Sequence, residues 1–247
     1  MSETESLTVA LVHGAFADSS SWSGVIERLQ AEDVEVTAPA VPLRGISIDS
    51  DYVASAIRQI PGPVLAVGHS YGGAVISNAA RDADNVVGLV FVCAFAPDEG
   101  ELLGEVTPTS KDAILGPALV PQKYPDGGAT ATEFVVDPAR FHEAFAADLP
   151  AHQAAVMAAT QRPIAEAAFS EASGTPAWKS LPSWAVIATG DKAAGTDLTR
   201  SMAERAGATI TELDGSHVIM VSEPEAVADA ILTAVHAVDR VTAGTTG

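Results

Sequence analysis

Short runs of strand-forming apolar residues alternate along this chain with segments whose apolar residues recur at helical spacing. Residues 64–67 and 86–92 are apolar on both faces, which is typical of strands in a parallel sheet that helices cover. This alternation predicts right-handed crossovers and a doubly wound α/β sheet of roughly six mostly parallel strands, with helices on both faces. The other predicted strands are residues 7–12, 34–38, 184–188 and 209–213, and the predicted helices are residues 21–31, 49–60, 72–83 and about 222–237.

The alternation is interrupted between the fourth and fifth predicted strands. The intervening segment has many prolines, few strand-like runs and two helical patterns, near residues 138–147 and 151–168. An insertion at the carboxyl ends of the strands lies over the place where such sheets bind ligands. We therefore predict a core of residues 1–97 and 181–247 and a small helical lid, residues 98–180, rather than an independent second domain.

The charge balance limits the classes of partner. The 247 residues include 32 acidic and 13 basic residues, so the formal net charge is −19. Such a surface repels phosphate backbones and anionic lipid heads, which argues against nucleic-acid and membrane partners. The single cysteine, Cys93, excludes an internal disulfide framework and a multi-cysteine zinc site. Because residues 1–6 carry two glutamates and no basic region, they do not resemble a signal peptide, and we expect a cytoplasmic protein.

The strongest local motif is Gly-His-Ser-Tyr-Gly-Gly at residues 68–73, which fits the pattern G-x-S-x-G. A predicted strand runs into the motif and a helix of small residues runs out of it. This is the setting of a nucleophile elbow, in which a sharp turn holds a serine hydroxyl above the sheet. The pattern alone also fits an ordinary glycine turn, but its strand–turn–helix context favours Ser70 as a nucleophile.

A serine hydroxyl needs a base to take its proton, and His217 is the best of six histidines for this role. It follows the last predicted strand and precedes the final helix, which gives the chain order Ser, Asp, His expected of such enzymes. The acid that orients the imidazole is predicted to be Asp191, directly after the fifth strand. Asp98, after the fourth strand, is the alternative, because some hydrolases place the acid there.

Two backbone N–H groups are needed to stabilise the developing oxyanion. We predict that these belong to Tyr71, the residue after the nucleophile, and to Ala15, in the loop after the first strand. Phe16, Phe95 and Val218 are candidate substrate-binding residues, although each is individually typical of core or lid packing as well.

Together these segments resemble the compact α/β-hydrolases that include bacterial esterases, plant methylesterases and plant hydroxynitrile lyases. The matching pieces are residues 11–16, 67–73, 89–98 and 215–217, and the resemblance spans nearly the whole chain. It implies an α/β-hydrolase fold and a reaction that needs no cofactor and no metal. The expected partner is a small-molecule ester, and the sequence does not indicate an oligomeric state.

The resulting hypothesis is a serine esterase that acts on small to medium hydrophobic carboxylic esters through an acyl-enzyme. Relatives with dehalogenase or epoxide hydrolase activity carry aspartate at the position of Ser70, so these activities are disfavoured. A hydroxynitrile lyase and a hydrolase-fold small-molecule receptor are the alternatives. The lyases of this family carry lysine directly after the catalytic histidine and threonine beside the oxyanion loop, where this chain has Val218 and Gly14.

Overall fold

A computed structural model describes residues 6–244 of the chain. Its helices and strands follow the alternation in the sequence. In chain order they are β1 (Thr8–Val12), α1 (Ser23–Gln30), β2 (Glu35–Thr37), α2 (Ile46–Arg58), β3 (Val64–His69), α3 (Tyr71–Ala79), β4 (Val86–Val92), α4 (Leu103–Val106), β5 (Leu119–Asp126), β6 (Ala129–Val136), α5 (Pro138–Phe145), α6 (Ala151–Thr160), β7 (Ile164–Ala165), α7 (Ala167–Ser170), β8 (Ser183–Ala188), α8 (Thr196–Arg205), β9 (Thr209–Leu213), α9 (Ile219–Ser222) and α10 (Pro224–Gly244).

The main sheet has six parallel strands in the order β2-β1-β3-β4-β8-β9. All six predicted strands are present, with ends that differ by no more than two residues, so the predicted α/β-hydrolase sheet is confirmed. Every residue of β3 is buried, because this central strand is covered on both faces, as its continuous apolar run predicts.

The strand order decides which helices lie on the same side of the sheet. The chain moves outward from β1 to β2 and then back across β1 to β3. Right-handed crossovers therefore place α1 and α2 on opposite faces. In agreement with this, α1 packs against α10, whereas α2 packs against α3.

The lid differs from the purely helical insertion that the sequence predicts. It contains a second, three-stranded antiparallel sheet in the order β5-β6-β7, together with α5 and α6 at the two predicted helical patterns. Strands β5 and β6 form a hairpin through Gly127 and Gly128, which both have positive φ (54° and 92°). The prediction was wrong here because β5 contains Pro121 and Pro125 and is largely exposed, so it lacks an apolar periodicity.

The second predicted lid helix also ends earlier than expected. Helix α6 stops at Thr160 rather than near residue 168, and Gln161 is already extended. Proline disfavours helical backbone at the residue before it, and Pro163 lies three residues beyond the end of α6. None of the helices within residues 6–244 is both long and apolar enough to span a bilayer.

Candidate active site

Ser70 lies in a sharp turn between β3 and α3, with φ 52° and ψ −122°. Positive φ is rare for residues other than glycine and marks local strain that the surroundings must stabilise. The turn is closed tightly enough that a Cβ atom on Gly68 would lie 2.5 Å from the carbonyl oxygen of Gly72. The glycine at position 68 is therefore what allows the strand to turn directly into the helix and present the serine at the end of the sheet.

The loop after β1 lies directly against this turn. A Cβ atom on Gly14 would lie 2.7 Å from Ser70 Cβ and 2.8 Å from the carbonyl oxygen of His69. Any larger residue at position 14 would push the loop away from Ser70.

His217 and Asp191 form a buried pair. Nδ1 of His217 lies 2.9 Å from Oδ2 of Asp191, and the side chains are 1% and 0% exposed. The other carboxylate oxygen, Oδ1, accepts the backbone N–H groups of Ala193 and Ala194 at 2.9 and 3.0 Å. Both oxygens are thus held in place, and Nδ1 is the imidazole nitrogen that donates to the carboxylate.

The second imidazole nitrogen of His217 has no partner. Nε2 is buried and makes no hydrogen bond, and none joins it to Ser70 Oγ. Hydrogen bonds between catalytic groups are often long or poorly aligned until substrate binds. Nε2 is therefore the nitrogen with a free lone pair, and it lies in a site closed from water.

The ring of His69 supports that of His217. Their centroids are 4.7 Å apart, and Nε2 of His69 donates to the carbonyl oxygen of His217 at 2.9 Å. Burial, and then the neighbouring His217, hold the pKa of His69 well below its ordinary value, so this ring stays neutral. The contact of His69 with His217 follows from the tertiary fold, since the two residues are 148 positions apart.

The alternative acid, Asp98, and the lysine that follows Asp191 in sequence, Lys192, both lie away from Ser70 and His217. Asp98 is at the surface in an ion pair with Lys179 and makes no contact with His217. Lys192, the cation that a lyase reaction would need nearby, is exposed and does not line the space over Ser70. The fold therefore brings Asp191, and not Asp98, to the predicted base.

The two predicted oxyanion donors lie beside Ser70. Tyr71 is the first residue of α3, and the first N–H groups of a helix have no acceptor within it. Its hydroxyl donates to Oδ2 of the buried Asp49 at 2.8 Å, which fixes the residue after the nucleophile. Ala15 lines the same cavity as Ser70 and Tyr71. Both residues thus lie at the cavity that Ser70 lines, and the oxyanion role of their backbone N–H groups remains a prediction.

The cavity over Ser70 is small and apolar, with a volume of about 60 Å³. Phe16 and Phe95 line it, as predicted, together with Phe145, whose ring lies 5.0 Å from that of His217. Val218 is fully buried and is not part of the cavity wall. A larger cavity of about 390 Å³ lies on the far side of Phe16, but Ser70 does not reach it.

Polar contacts tie the lid to the loops that carry the candidate residues. Asp148 of the lid accepts from the hydroxyl of Ser216, and from its N–H at 2.8 Å, immediately before His217. Ser110 and the N–H of Lys111 donate to Asp197, in the first turn of α8, which follows the loop after Asp191. No sequence pattern predicts these contacts, because the partners are 68 to 87 residues apart.

Within residues 6–244, no group of three or more His, Cys, Asp or Glu side chains is arranged to hold a metal ion.

Comparison with known proteins agrees with the fold. The model of a family described as the alpha/beta hydrolase family matches residues 9–230. No curated protein sequence matches the chain significantly.

Solved structures share the fold at low sequence identity. A pyrethroid hydrolase superimposes with a TM-score of 0.77 and 21% identity, covering 94% of this chain and 99% of its own. Polyneuridine aldehyde esterase gives 0.78 and 18%, covering 92% and 98%. Tomato methylketone synthase I gives 0.77 and 20%, covering 94% and 99%.

Proposed function

The chain belongs to the alpha/beta hydrolase family, and from this premise we propose that it is a serine esterase acting on small to medium hydrophobic carboxylic esters. The observation that carries the proposal is the buried Asp191–His217 pair. It leaves one imidazole nitrogen without a partner at the end of the sheet that also presents Ser70. A hydrolase and an esterase are among the named structural neighbours, which is consistent with this activity.

In the proposed reaction Ser70 Oγ attacks the ester carbonyl carbon while Nε2 of His217 takes the hydroxyl proton. Asp191 stabilises the imidazolium that forms. The N–H groups of Tyr71 and Ala15 stabilise the oxyanion. His217 then gives the proton to the leaving alkoxide, so that an acyl-enzyme and an alcohol result.

Water completes the cycle. His217 takes a proton from a water molecule, whose oxygen attacks the acyl carbon, and the proton returns to Ser70 Oγ as the carboxylic acid leaves. The reaction needs no cofactor.

Hydroxynitrile cleavage is the competing chemistry on the same residues. It expels cyanide, whose developing negative charge needs a nearby cation. Val218 is buried and apolar, Lys192 is exposed away from the cavity, and a side chain at Gly14 would meet Ser70. These three features favour the esterase over the lyase.

The deciding experiment compares two substrates and one covalent probe. We expect hydrolysis of 4-nitrophenyl acetate, negligible cleavage of mandelonitrile, and labelling by a fluorophosphonate that is lost in Ser70→Ala. The variant should lose about 10³-fold or more of the activity while keeping its circular dichroism spectrum. Efficient mandelonitrile cleavage without ester turnover would establish the lyase instead, and an unlabelled wild-type serine would favour a receptor.

A further inference from the structure

A second apolar space adjoins the cavity over Ser70. It is an open groove of about 450 Å³ between the short helices α4 and α7 of the lid. The cavity and the groove have five wall residues in common, which are Leu103, Thr107, Gly116, Leu119 and Phe169. The two spaces are therefore adjacent, and a chain that passes between these side chains would extend from Ser70 into the groove.

The two spaces differ greatly in size. Pockets that bind drug-sized ligands occupy about 300–1,000 Å³. The space over Ser70, about 60 Å³, is well below this range, whereas the groove, about 450 Å³, lies within it. A substrate with more than a short acyl group therefore has to place the rest of its length outside the inner cavity.

The position of His217 indicates which part of the ester points toward the groove. The leaving alcohol must lie beside Nε2 of His217, since that nitrogen gives it a proton, and the ring of His217 packs against Phe145. Phe145 lines the inner cavity and does not line the groove. The acyl chain is thus the part that extends toward the shared wall.

The charges at the groove define the chemistry of the chain end. Among the residues that line it, the charged ones are Glu105 and Glu166, both exposed at its mouth, and no basic residue lines it. The remaining wall is mainly apolar. An anionic chain end would be repelled by these carboxylates, whereas a neutral alkyl chain buries apolar surface there.

We propose that this groove is the acyl-chain subsite of the enzyme, and that its substrates are esters of neutral, extended aliphatic acids. The inference rests on the proposed esterase function and adds the substrate class. Burial of each further methylene raises kcat/KM about fourfold until the groove is filled.

Gly116 provides a way to narrow the passage. It lines both spaces, its φ is not positive, and a Cβ atom added there has no atom within 4 Å, so the backbone at this position accepts a side chain. Phe169 provides the opposite change, because its ring lines both spaces and its removal widens the passage. Ala129 is exposed in the lid hairpin and lines neither space, so Ala129→Phe is the matched control.

The test measures kcat/KM for 4-nitrophenyl esters of acids from acetic to dodecanoic, which keep the leaving group constant. The wild type should prefer octanoate to acetate. Gly116→Phe should lower the octanoate-to-acetate ratio of kcat/KM at least tenfold, and a circular dichroism spectrum that matches the wild type shows that the variant is folded. Phe169→Ala should shift the optimum toward longer chains, and Ala129→Phe should behave as the wild type.

The outcomes separate the inference from the proposed function. If acetate is hydrolysed and neither Gly116→Phe nor Phe169→Ala alters the chain-length profile, the groove is not the acyl subsite, although the esterase stands. If no ester is hydrolysed and the fluorophosphonate does not label Ser70, the proposed function itself fails.

A second substrate pair tests the charge of the chain end. The 4-nitrophenyl monoester of octanedioic acid, which ends in a carboxylate, should react about fivefold or more slowly than the octanoate at low ionic strength. Glu105→Gln combined with Glu166→Gln should reduce this difference. Equal rates for the two esters in the wild type would overturn the placement of the chain end in the groove.

Discussion

Replacing Asp191 by asparagine changes one atom of a side chain whose two oxygens each have a defined partner. Oδ2 accepts from Nδ1 of His217 at 2.9 Å, and Oδ1 accepts from the N–H groups of Ala193 and Ala194 at 2.9 and 3.0 Å. Asparagine has one acceptor oxygen and one NH₂ group, so it cannot serve both sets of donors.

Either orientation of the amide is unfavourable. If its oxygen faces Ala193 and Ala194, its NH₂ group faces Nδ1 of His217, and the ring must move its proton to Nε2. In that tautomer Nε2 has no lone pair with which to accept the proton of Ser70. If the oxygen faces His217 instead, the NH₂ group points at two buried N–H donors, which costs about 1–3 kcal/mol of stability for each group left unpaired.

The N–H groups of Ala193 and Ala194 favour the first orientation, in which the amide oxygen accepts from them. The tautomer of His217 that carries its proton on Nε2 should therefore dominate. Asparagine also cannot stabilise the imidazolium. The expected loss in kcat is on the order of 10⁴-fold, with little change in KM. It is measured with 4-nitrophenyl acetate at neutral pH and again in alkaline buffer.

Asp98→Asn is the control, because Asp98 is a surface residue paired with Lys179. Its activity should stay within about threefold of the wild type, as exposed ion pairs contribute little. A variant Asp191→Asn that keeps more than about a tenth of the wild-type kcat would refute the role assigned to this carboxylate. A loss of activity in Asp98→Asn that is larger than the loss in Asp191→Asn would refute this role as well.

Three further results are expected. Gly14→Ala should lower kcat at least tenfold, because the added Cβ would meet Ser70 Cβ at 2.7 Å, whereas Gly116→Ala, where space is open, should be neutral in the same acetate assay. Burial, and to a smaller extent the neighbouring His217, lowers the pKa of His69. The unfolded chain therefore binds a proton at His69 that the native state does not bind. In urea titrations the stability advantage of the wild type over His69→Asn should therefore shrink by up to about 1.4 kcal/mol per pH unit below about pH 6.5, and a constant difference would contradict the buried neutral ring. Partial burial of Asp148 raises the pKa of its carboxyl group, but the hydrogen bonds from Ser216 outweigh this effect and hold the pKa below its ordinary value. The ionised carboxylate therefore stabilises the fold above the ordinary carboxyl range, and this stabilisation is lost as the pH falls through the lowered pKa. Asp148→Asn should accordingly lower Tm at neutral pH and leave it unchanged in strong acid, and equal losses at both pH values would count against this ionic contact.

Local patterns in the amino-acid sequence predict the main sheet and the position of its sharpest turn. Both depend on local patterns: apolar runs on both strand faces, helical spacing between them, and glycines around Ser70. The position of His217 in the loop after the last strand could also be predicted, because a strand pattern precedes this residue and a helix pattern follows it. Local periodicity is encoded within about ten residues, so it is visible without knowledge of the fold.

Only the tertiary structure decided which distant groups meet. Asp98 and Asp191 both follow strands of the same sheet, but only the second lies beside His217, with Ala193 and Ala194 holding its other oxygen. Val218 follows the predicted base in sequence, yet its side chain packs into the core instead of the cavity.

The lid likewise contains some features that the sequence predicts and others that it does not. Its two helical patterns were recognisable, but the hairpin of β5 and β6, the contacts that Asp148 and Ser110 make with the core, and the groove lined by Leu103 were not. The hairpin is local, and the sequence does not predict it because β5 is largely exposed and contains two prolines. The contacts and the groove arise from residues that are dozens of positions apart and become neighbours only after the chain has packed. Pairings of this kind leave no periodic trace in the sequence, since each partner contributes a single residue and burial in three dimensions selects between them.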